Sequence, residues 1–459
     1  MGRLLECVAG MTMICVAALV HAGDMTLVEK GAARAPIVVA DGLGPETQEA
    51  VKELASYIKK ISGANPAVLT GSPSPAPTSA IWIGARPELA SLFPGVSFSF
   101  QHPEEILYVC NGQHLAILGR DKTCGGKQTE FGTANAIYTF IEKKLGVRWL
   151  WPGPLGEDII KQDTIAFAPF EYRFHPVFLK RHLWPRTPRD WHLHQRHFLY
   201  SFNCNCGHAF TDWWDKYHET HPEYFALQPN GTRTPPGPPR DVKLCLSNPG
   251  VWKQWLDNAE EAIRKDPSIT VVSASPNDGP WHCVCEKCRA WDDPNGPKVG
   301  SYVSLTDRHV KFWNILARGL KERFPEREIF VGALAYGDYI RPPVSTKLER
   351  NVTISLVGFF PMTSDAERER QKAMWKEWAD KASVMLYRPN LWYWGGGVWS
   401  LPEVAMKRVM EDIRFLADNK CVGVTVDVLR HHWATQGPQY YLMAQLIYDP
   451  YADGNAIMR

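Results

Sequence analysis

The chain has 459 residues, of which 45% are hydrophobic and 22% are charged. This composition is typical of globular proteins and excludes a disordered, collagen-like or coiled-coil chain. The formal net charge of +2, without a long basic run, excludes general nucleic-acid binding. The length is roughly three times that of a typical domain and predicts two or three folded units.

Residues 1–22 have the pattern of a secretory signal peptide. Arg3 provides a short positive region, an apolar stretch follows from Val8 to Val20, and Val20-His21-Ala22 is a small-residue cleavage site. The apolar stretch is shorter than the ~20 residues that a membrane-spanning helix needs, and no second stretch of that length follows. We therefore predict a secreted or periplasmic protein without a membrane span.

Residues 24–170 are predicted to form a small α+β domain. The apolar run Ile37–Ala40 predicts a strand, and Asn111-Gly112 between two apolar runs predicts a hairpin. Apolar residues at helical spacing predict two helices, Gly44–Gly63 and Ala134–Leu145. Strands that are covered by helices on one face give an α+β layer domain.

Residues 175–459 alternate between strand and helix patterns. Eight strands in this alternation favour a (β/α)8 TIM barrel over a doubly wound sheet, because no glycine-rich phosphate loop follows an early strand. In a barrel, catalytic residues lie in the loops after the carboxyl ends of the strands. The predicted strands are Val177–Leu183, Phe198–Asn203, Lys243–Leu246, Ile269–Ala274, Glu328–Leu334, Val352–Val357, Ser383–Leu386 and Val422–Val426.

Asn277 and Asp278 follow the fourth predicted strand. A carboxyl group beside an amide at this point is typical of glycosidases, which must protonate a leaving oxygen and orient a sugar hydroxyl. The same Asn-Asp-Gly sequence is also ordinary turn chemistry. Both interpretations stay open from the sequence alone.

Other strand ends supply further candidates for catalysis and substrate binding. Asp427 follows the eighth strand and is either a second carboxylate or a salt-bridge partner of Arg430. Glu223 is a candidate acid or base, or a plain surface residue. His208 follows the second strand, and Tyr336 follows the fifth, with Asp338 close behind it.

Aromatic residues are frequent in the predicted loops, and the chain has 18 tryptophans. Flat apolar rings with a polar edge suit the C–H faces of sugars, although many such rings only fill a core. Trp392 and Trp394, which precede three glycines, and Trp433 are the predicted sugar platforms.

Cys283, Cys285 and Cys288 form a C-x-C-x-x-C motif in the loop after Asp278. Thiols this close in sequence are poor disulfide partners for one another but good metal ligands, with Cys245 or His282 as a candidate fourth ligand. Export favours a different outcome, in which they form disulfides with Cys204, Cys206 or Cys245. Either arrangement would fasten the loop. Eight of the 15 histidines lie between His175 and His221, but no His-Glu-x-x-His motif marks a catalytic zinc site.

Several motifs occur in a fixed order along the chain, and on them the chain resembles a known family. The motifs are Phe131-Gly-Thr-Ala-Asn-Ala-Ile-Tyr, Leu145-Gly-Val-Arg-Trp-Leu-Trp-Pro-Gly153, His221-Pro-Glu-Tyr-Phe225, Leu244-Cys-Leu-Ser-Asn-Pro249, Ser275-Pro-Asn-Asp278 and Cys283-x-Cys-x-x-Cys288. The family that the chain resembles is catalogued as domain of unknown function 4838, and its characterised members form glycoside hydrolase family 163. The first unit is similar to the non-catalytic second domain of β-hexosaminidases and to the N-terminal domain of α-glucuronidases.

The resemblance implies a (β/α)8 glycoside hydrolase and, for the characterised members, an endo-β-N-acetylglucosaminidase that acts on N-glycans with net retention. In such enzymes the acetamido oxygen of the substrate attacks, so the protein supplies an acid and an acetamide-orienting residue and needs no cofactor. The resemblance places Asn277 and Asp278 in the active centre. Hexosaminidase sites carry adjacent Asp-Glu, whereas Asn-Asp stands here. Family members commonly continue beyond the position of Arg459.

Three functions from different classes are compatible with these residues. The first is an exported glycoside hydrolase that acts on complex glycans. The second is a carbohydrate-binding protein on a degenerate hydrolase fold, which would bind sugar without turnover. The third is a metal-dependent hydrolase that uses the histidines, which a chelator would inactivate.

Overall fold

The computed structural model describes residues 23–183, 188–204, 206–299, 302–358, 360, 364–389, 405–426 and 433–459. The predicted signal peptide and the predicted site residues Trp392, Trp394 and Asp427 lie outside these residues. Within the described ranges, no helix is both long enough and apolar enough to cross a membrane.

The first unit is built on a six-stranded sheet. Its elements are β1 (Met25–Glu29), β2 (Ala32–Ala33), β3 (Ile37–Val39), α1 (Pro45–Ser62), β4 (Val68–Thr70), β5 (Ala80–Ile83), α2 (Leu89–Leu92), β6 (Ile106–Cys110), β7 (His114–Gly119), β8 (Asp121–Cys124), β9 (Lys127–Phe131), α3 (Gly132–Lys143), β10 (Arg148–Trp149), β11 (Glu157–Asp158), β12 (Ile165–Phe167) and β13 (Phe170–Phe174). The strand order of the sheet is β13-β6-β7-β5-β3-β4. Helices α1 and α3 pack together against one face, where their apolar side chains share a core with the sheet.

The predicted hairpin at Asn111-Gly112 is confirmed, and it joins β6 to β7. Asn111 Oδ1 accepts hydrogen bonds from the amides of Gln113 at 2.9 Å and His114 at 2.7 Å. Gly112 has a φ of +89°, a conformation that glycine adopts without steric cost. The turn therefore depends on the chemistry that the sequence signal indicates.

The second unit is built on a parallel sheet. Its elements are β14 (Lys180–Leu183), α4 (Arg189–His194), α5 (Trp213–Tyr217), α6 (Pro249–Lys265), β15 (Val271–Ser273), α7 (Glu286–Arg289), β16 (Lys298–Val299), β17 (Tyr302–Val303), α8 (Thr306–Arg323), β18 (Phe330–Ala335), β19 (Val352–Leu356), α9 (Asp365–Lys381), β20 (Val384–Tyr387), α10 (Met406–Asp418), β21 (Cys421–Val426), α11 (Trp433–Tyr448) and α12 (Gly454–Ile457). Six parallel strands form the sheet in the order β14-β21-β20-β19-β18-β15. Pairing of β14 with β21 joins the first strand of this unit to its last, as in the closure of a barrel. The fold is thus mixed α/β with a curled parallel sheet.

Two of the eight predicted strands do not form. In the segment 198–203, Phe198 has a φ of +65°, which interrupts an extended chain, and the amide of Ser201 donates to Glu104 Oε1. In the segment 243–246, the backbone pairs with residues 224–226 instead of the parallel sheet, through an antiparallel bridge between Phe225 and Leu244. Local apolar pattern predicts both as strands, but their backbone groups have other partners.

A buried ion pair joins the two units. Glu104 and Arg181 are both 0% exposed, and their carboxylate and guanidinium groups are 2.5 Å apart. Arg181 also donates to the carbonyl oxygen of Leu199, and Asn135 Nδ2 donates to the same oxygen at 3.0 Å. One continuous hydrophobic core contains side chains of both units. Helix α3 and strand β14 are therefore fixed relative to each other.

Candidate functional site

Asp278 and His208 face each other just beyond the carboxyl end of β15. Their side chains are 3.3 Å apart, between Asp278 Oδ2 and His208 Nε2, and the Asp278 side chain is 52% exposed. A parallel bridge between His208 and Ser275 holds the two segments side by side. The structure thus brings together two residues that the sequence placed after different strands.

The protonation of His208 is constrained by its other ring nitrogen. Nδ1 lies 2.6 Å from the carbonyl oxygen of Pro276, which can only accept, so Nδ1 carries a proton. Nε2 of the neutral ring is then an acceptor that faces Asp278, whereas the imidazolium would donate to its carboxylate. A proton on either His208 Nε2 or Asp278 Oδ2 would join the two side chains by a hydrogen bond.

The Asn277 side chain hydrogen-bonds to backbone groups near this pair. Its side chain is 1% exposed. Oδ1 accepts from the amide of Phe210 at 3.1 Å, and Nδ2 donates to the carbonyl oxygen of Val242 at 3.1 Å. The amide that was expected beside a sugar is thus engaged by the protein, and Asn277 is a positioning residue for Asp278.

We expect Asn277→Ala to lower the free energy of unfolding by roughly 2–4 kcal/mol, because it leaves a buried amide and a buried carbonyl without partners. Urea denaturation followed by tryptophan fluorescence measures this. Asn230→Ala is the control, since Asn230 is exposed and bonds only within its own turn to Thr232. Equal effects of the two substitutions would show that Asn277 does not brace the loop.

A second carboxylate–histidine pair lies after the next strand of the sheet. Asp338 Oδ2 is 3.1 Å from His282 Nε2, and both side chains are less than one-quarter exposed. Burial lowers the pKa of His282, so its ring is neutral and donates from Nε2. That hydrogen bond lowers the pKa of Asp338. Asp338 therefore stays anionic at the carboxyl end of β18.

Lys243 is a buried cation between the two pairs. Its Nζ donates to the carbonyl oxygen of Asn277. Burial lowers the pKa of Lys243 to about 8, against the opposing charges of Asp278 and Asp338. The ammonium group therefore balances the two carboxylates near neutral pH.

A cavity of about 430 Å³ opens inside the curled sheet, and neither Asp278 nor His208 is among its lining residues. Its lining includes Lys180 and Thr425 on β14 and β21, Arg388 just after β20, and Gly207, which precedes His208. Burial also lowers the pKa of Lys180 to about 8. A cavity toward the carboxyl ends of parallel strands, with a few polar groups in a largely apolar lining, is the usual place for a small-molecule site in such folds.

The loop after Asp278 carries an aromatic side chain over two glycines. A Cβ at Gly279 would lie 2.8 Å from Trp281 Cζ3, and Gly279 also has a φ of +97°. A Cβ at Gly237 would lie even closer to the same ring. The Trp281 ring therefore leaves no room for a side chain at position 237 or 279.

The other predicted site residues have varied surroundings. Tyr336 immediately follows β18, and its carbonyl accepts from the amide of Tyr339, so it begins the turn that carries Asp338. Glu223 Oε1 lies 3.1 Å from His221 Nδ1, so this carboxylate pairs with a histidine other than the one that faces Asp278.

Trp433 begins α11 and lines a different cavity, of about 530 Å³, together with Trp151. Its ring meets that of Trp191 edge to face, with centroids 4.9 Å apart. Trp433 therefore lies at a different cavity from the one of about 430 Å³ inside the curled sheet. Strands β20 and β21, which precede Trp392, Trp394 and Asp427 in the chain, both line the cavity of about 430 Å³.

The cysteine motif gathers one further cysteine. The sulfur atoms of Cys245, Cys283, Cys285 and Cys288 all lie within 4.8 Å of one another, and all four are free thiols. The predicted disulfides from the motif to Cys204, Cys206 or Cys245 are wrong in this structure. The reason is that Cys204 and Cys206 bond to each other, and Cys245 is 3.8 Å from its nearest partners. Of the two candidate fourth ligands, Cys245 is in place and His282 is paired with Asp338.

The clustered histidines do not converge on a metal. His194 hydrogen-bonds Glu53 and stacks on Trp149. His197 Nε2 lies 3.2 Å from the carbonyl oxygen of Ala444, and burial lowers the pKa of His192 to about 3. Among the described residues, the four cysteines are the one group close enough to hold an ion.

Residues that sequence reasoning missed carry much of the charge of the site. Lys243 begins a short apolar run and Lys180 directly follows one, and a lysine beside such a run is unusual enough to have been a signal. Arg388 comes two residues after the predicted strand Ser383–Leu386, at a position where the barrel rule predicts functional residues. The pairing of His282 with Asp338 has no sequence signal, because 56 residues separate them.

The site and fold define a mixed α/β protein with a cavity inside a curled parallel sheet. The sequence pattern of the family described as Domain of unknown function (DUF4838) matches residues 151–459, and the chain belongs to this family.

Comparison with curated proteins gave no match. Solved structures that are similar to this chain include N-acetyl-beta-hexosaminidase of Streptomyces plicatus. It is 11% identical, with 95% of this chain and 93% of that chain covered and a TM-score of 0.45. The beta-N-acetylhexosaminidase from Bacteroides fragilis NCTC 9343 is 9% identical, with 94% and 89% covered and a TM-score of 0.47.

Proposed function

We propose that the protein is an exported glycoside hydrolase that cleaves glycans at N-acetylglucosamine. The observation that carries this proposal is the Asp278–His208 pair, in which a half-exposed carboxyl group lies 3.3 Å from a histidine just beyond the end of a strand. The residue before His208 lines a cavity of about 430 Å³. We further propose that residues 1–22 direct export and that the second unit is a (β/α)8 barrel. The family resemblance supports the choice of sugar.

The chemistry assigns different roles to the two acidic groups. Glycoside cleavage needs a proton for the leaving oxygen and a negative charge near the positive charge that develops on the sugar. Asp278 is half-exposed and lies against His208, and we assign it the role of proton donor. The lowered pKa of Asp338 keeps it anionic, which suits stabilisation of positive charge or orientation of an acetamido N–H. Carboxyl groups with separate environments commonly divide the work in this way.

A carbohydrate-binding protein without turnover is the second candidate. The observation that favours it is that Asn277, which stands where hexosaminidases carry the aspartate of their Asp-Glu pair, is buried and bonded to backbone. Such a protein would keep the cavity and its cations but would not cleave a bond.

The test is hydrolysis of a panel of N-glycans and aryl glycosides, namely N-acetylglucosaminide, glucuronide and galactoside, by the purified chain. Release of an N-acetylglucosamine-terminated product, identified by mass spectrometry, is expected. Turnover of only the glucuronide or the galactoside would contradict the proposed sugar. Glycan binding in calorimetry without release of any product would establish the binding protein instead.

A further inference from the structure

We propose that Cys245, Cys283, Cys285 and Cys288 bind one Zn²⁺ ion as a structural site. Three of the four thiols come from the loop after Asp278, and the fourth comes from the segment that pairs with residues 224–226. Cys245, Cys283 and Cys288 are at most 5% exposed, and Cys285 is half-buried. Buried thiols from separate segments thus meet at one point.

The separations of the sulfur atoms fit a tetrahedral ion. Cys245 Sγ lies 3.8 Å from Cys285 Sγ and 3.8 Å from Cys288 Sγ. Four sulfurs that each lie ~2.3 Å from a zinc ion at tetrahedral angles are about 3.8 Å apart. A disulfide would require about 2.05 Å. The cage therefore has the size of a zinc–thiolate centre and is too wide for disulfide bonds.

Hydrogen-bond donors around the sulfurs support the same assignment. The amide of Leu227 points to Cys283 Sγ at 3.3 Å, and the amide of Cys288 points to Cys285 Sγ at 3.4 Å. Ser247 Oγ lies 3.2 Å from Cys288 Sγ. Donors of this kind stabilise thiolates and orient them toward a metal.

Four thiolates leave no open coordination position, so the site is suited to structure and not to reaction. Soft sulfur ligands in a tetrahedron select zinc or iron, and zinc needs no redox partner and imposes no geometry of its own. Magnesium and calcium are excluded because they require oxygen ligands.

The ion would hold the loop that carries the acidic site. Cys283 follows His282, the partner of Asp338, in the chain. The carbonyl oxygen of Cys283 accepts from Arg308 Nη1 at 2.8 Å, and Arg308 also binds Asp292 through two hydrogen bonds. The proposed zinc centre and Arg308 therefore fix the segment 283–292, which directly follows His282.

The experiment measures metal content of the purified full chain by inductively coupled plasma mass spectrometry. We expect about one zinc ion per chain in the wild type and less than about a tenth in Cys285→Ser. Cys124→Ser is the matched control, because Cys124 is also a half-buried free thiol but lies outside the cage. It should retain the full zinc content.

Measurements on the wild type keep the proposal testable if Cys285→Ser does not fold. Exchange of zinc for Co²⁺ should give the visible bands of tetrahedral cobalt and the ultraviolet thiolate-to-cobalt band. A wild type without zinc, with iron in its place, or with these four cysteines in disulfides by peptide mass mapping would overturn the proposal. None of these readouts depends on turnover, so they are independent of the proposed hydrolase activity.

Discussion

Asp278→Asn is expected to lower kcat/KM for N-acetylglucosaminides by roughly 10²- to 10⁴-fold, the usual contribution of a positioned proton donor. The amide keeps the size of the side chain and its contact with His208, but it cannot donate a proton to the leaving oxygen. The loss should shrink for aryl glycosides whose leaving groups are acidic enough to depart unprotonated. Initial rates on a series of aryl leaving groups measure both effects.

Glu223→Gln is the matched control for Asp278→Asn. The two carboxylates are 53% and 52% exposed, and each pairs with a histidine, at 3.1 and 3.3 Å. Because Glu223 is paired with His221 and not with the acidic site, its substitution should change the rate less than about twofold. If Glu223→Gln or Asp338→Asn causes a rate loss that shrinks for acidic leaving groups, and Asp278→Asn does not, Asp278 is not the acid.

Glu104→Gln is expected to lower the free energy of unfolding by about 3–5 kcal/mol, the largest effect on stability among the substitutions considered. The change leaves the guanidinium of Arg181 buried without an opposing charge, since both side chains are 0% exposed. Denaturant unfolding at equilibrium measures the loss.

Lys127→Gln tests whether burial of the Glu104–Arg181 pair is the cause of the large expected loss of stability. Lys127 and Asp266 also link the two units, at 2.5 Å, but their side chains are 61% and 30% exposed. An exposed pair contributes less than about 1 kcal/mol. The double variant Glu104→Gln with Arg181→Met should recover part of the loss, because no unpaired charge remains. A loss from Glu104→Gln as small as that from Lys127→Gln would contradict this account.

Local pattern is enough to predict most elements of the fold. Helices α1 and α3 are predicted by apolar residues at helical spacing, and the turn at Asn111-Gly112 by its side-chain chemistry. The failures at 198–203 and 243–246 have one cause. Whether an apolar run joins a sheet depends on which distant groups take its backbone hydrogen bonds, and Glu104 and residues 224–226 take them here.

The candidate site, like the fold, could be predicted from local sequence pattern only in part. The barrel rule selects Asp278, His208 and Tyr336 because each comes just after a predicted strand. The rule does not predict that the Asn277 side chain hydrogen-bonds to backbone groups, or that Cys245 lies beside the other three thiols. Both facts depend on contacts between segments far apart in sequence. The strand pattern explains Lys243 only as the start of an apolar run. In the structure its ammonium group interacts electrostatically with the carboxylates of Asp278 and Asp338.

The Glu104–Arg181 pair also bears on how members of this family can be dissected. The family match begins at residue 151, after Glu104 and before Arg181. A fragment cut at that boundary would keep the cation and discard its anion, together with Asn135, which shares an acceptor with Arg181. The six-stranded sheet, of which only β13 lies within the match, is therefore a folding partner for the parallel sheet. A working minimal unit must either include that sheet or carry an apolar residue at position 181.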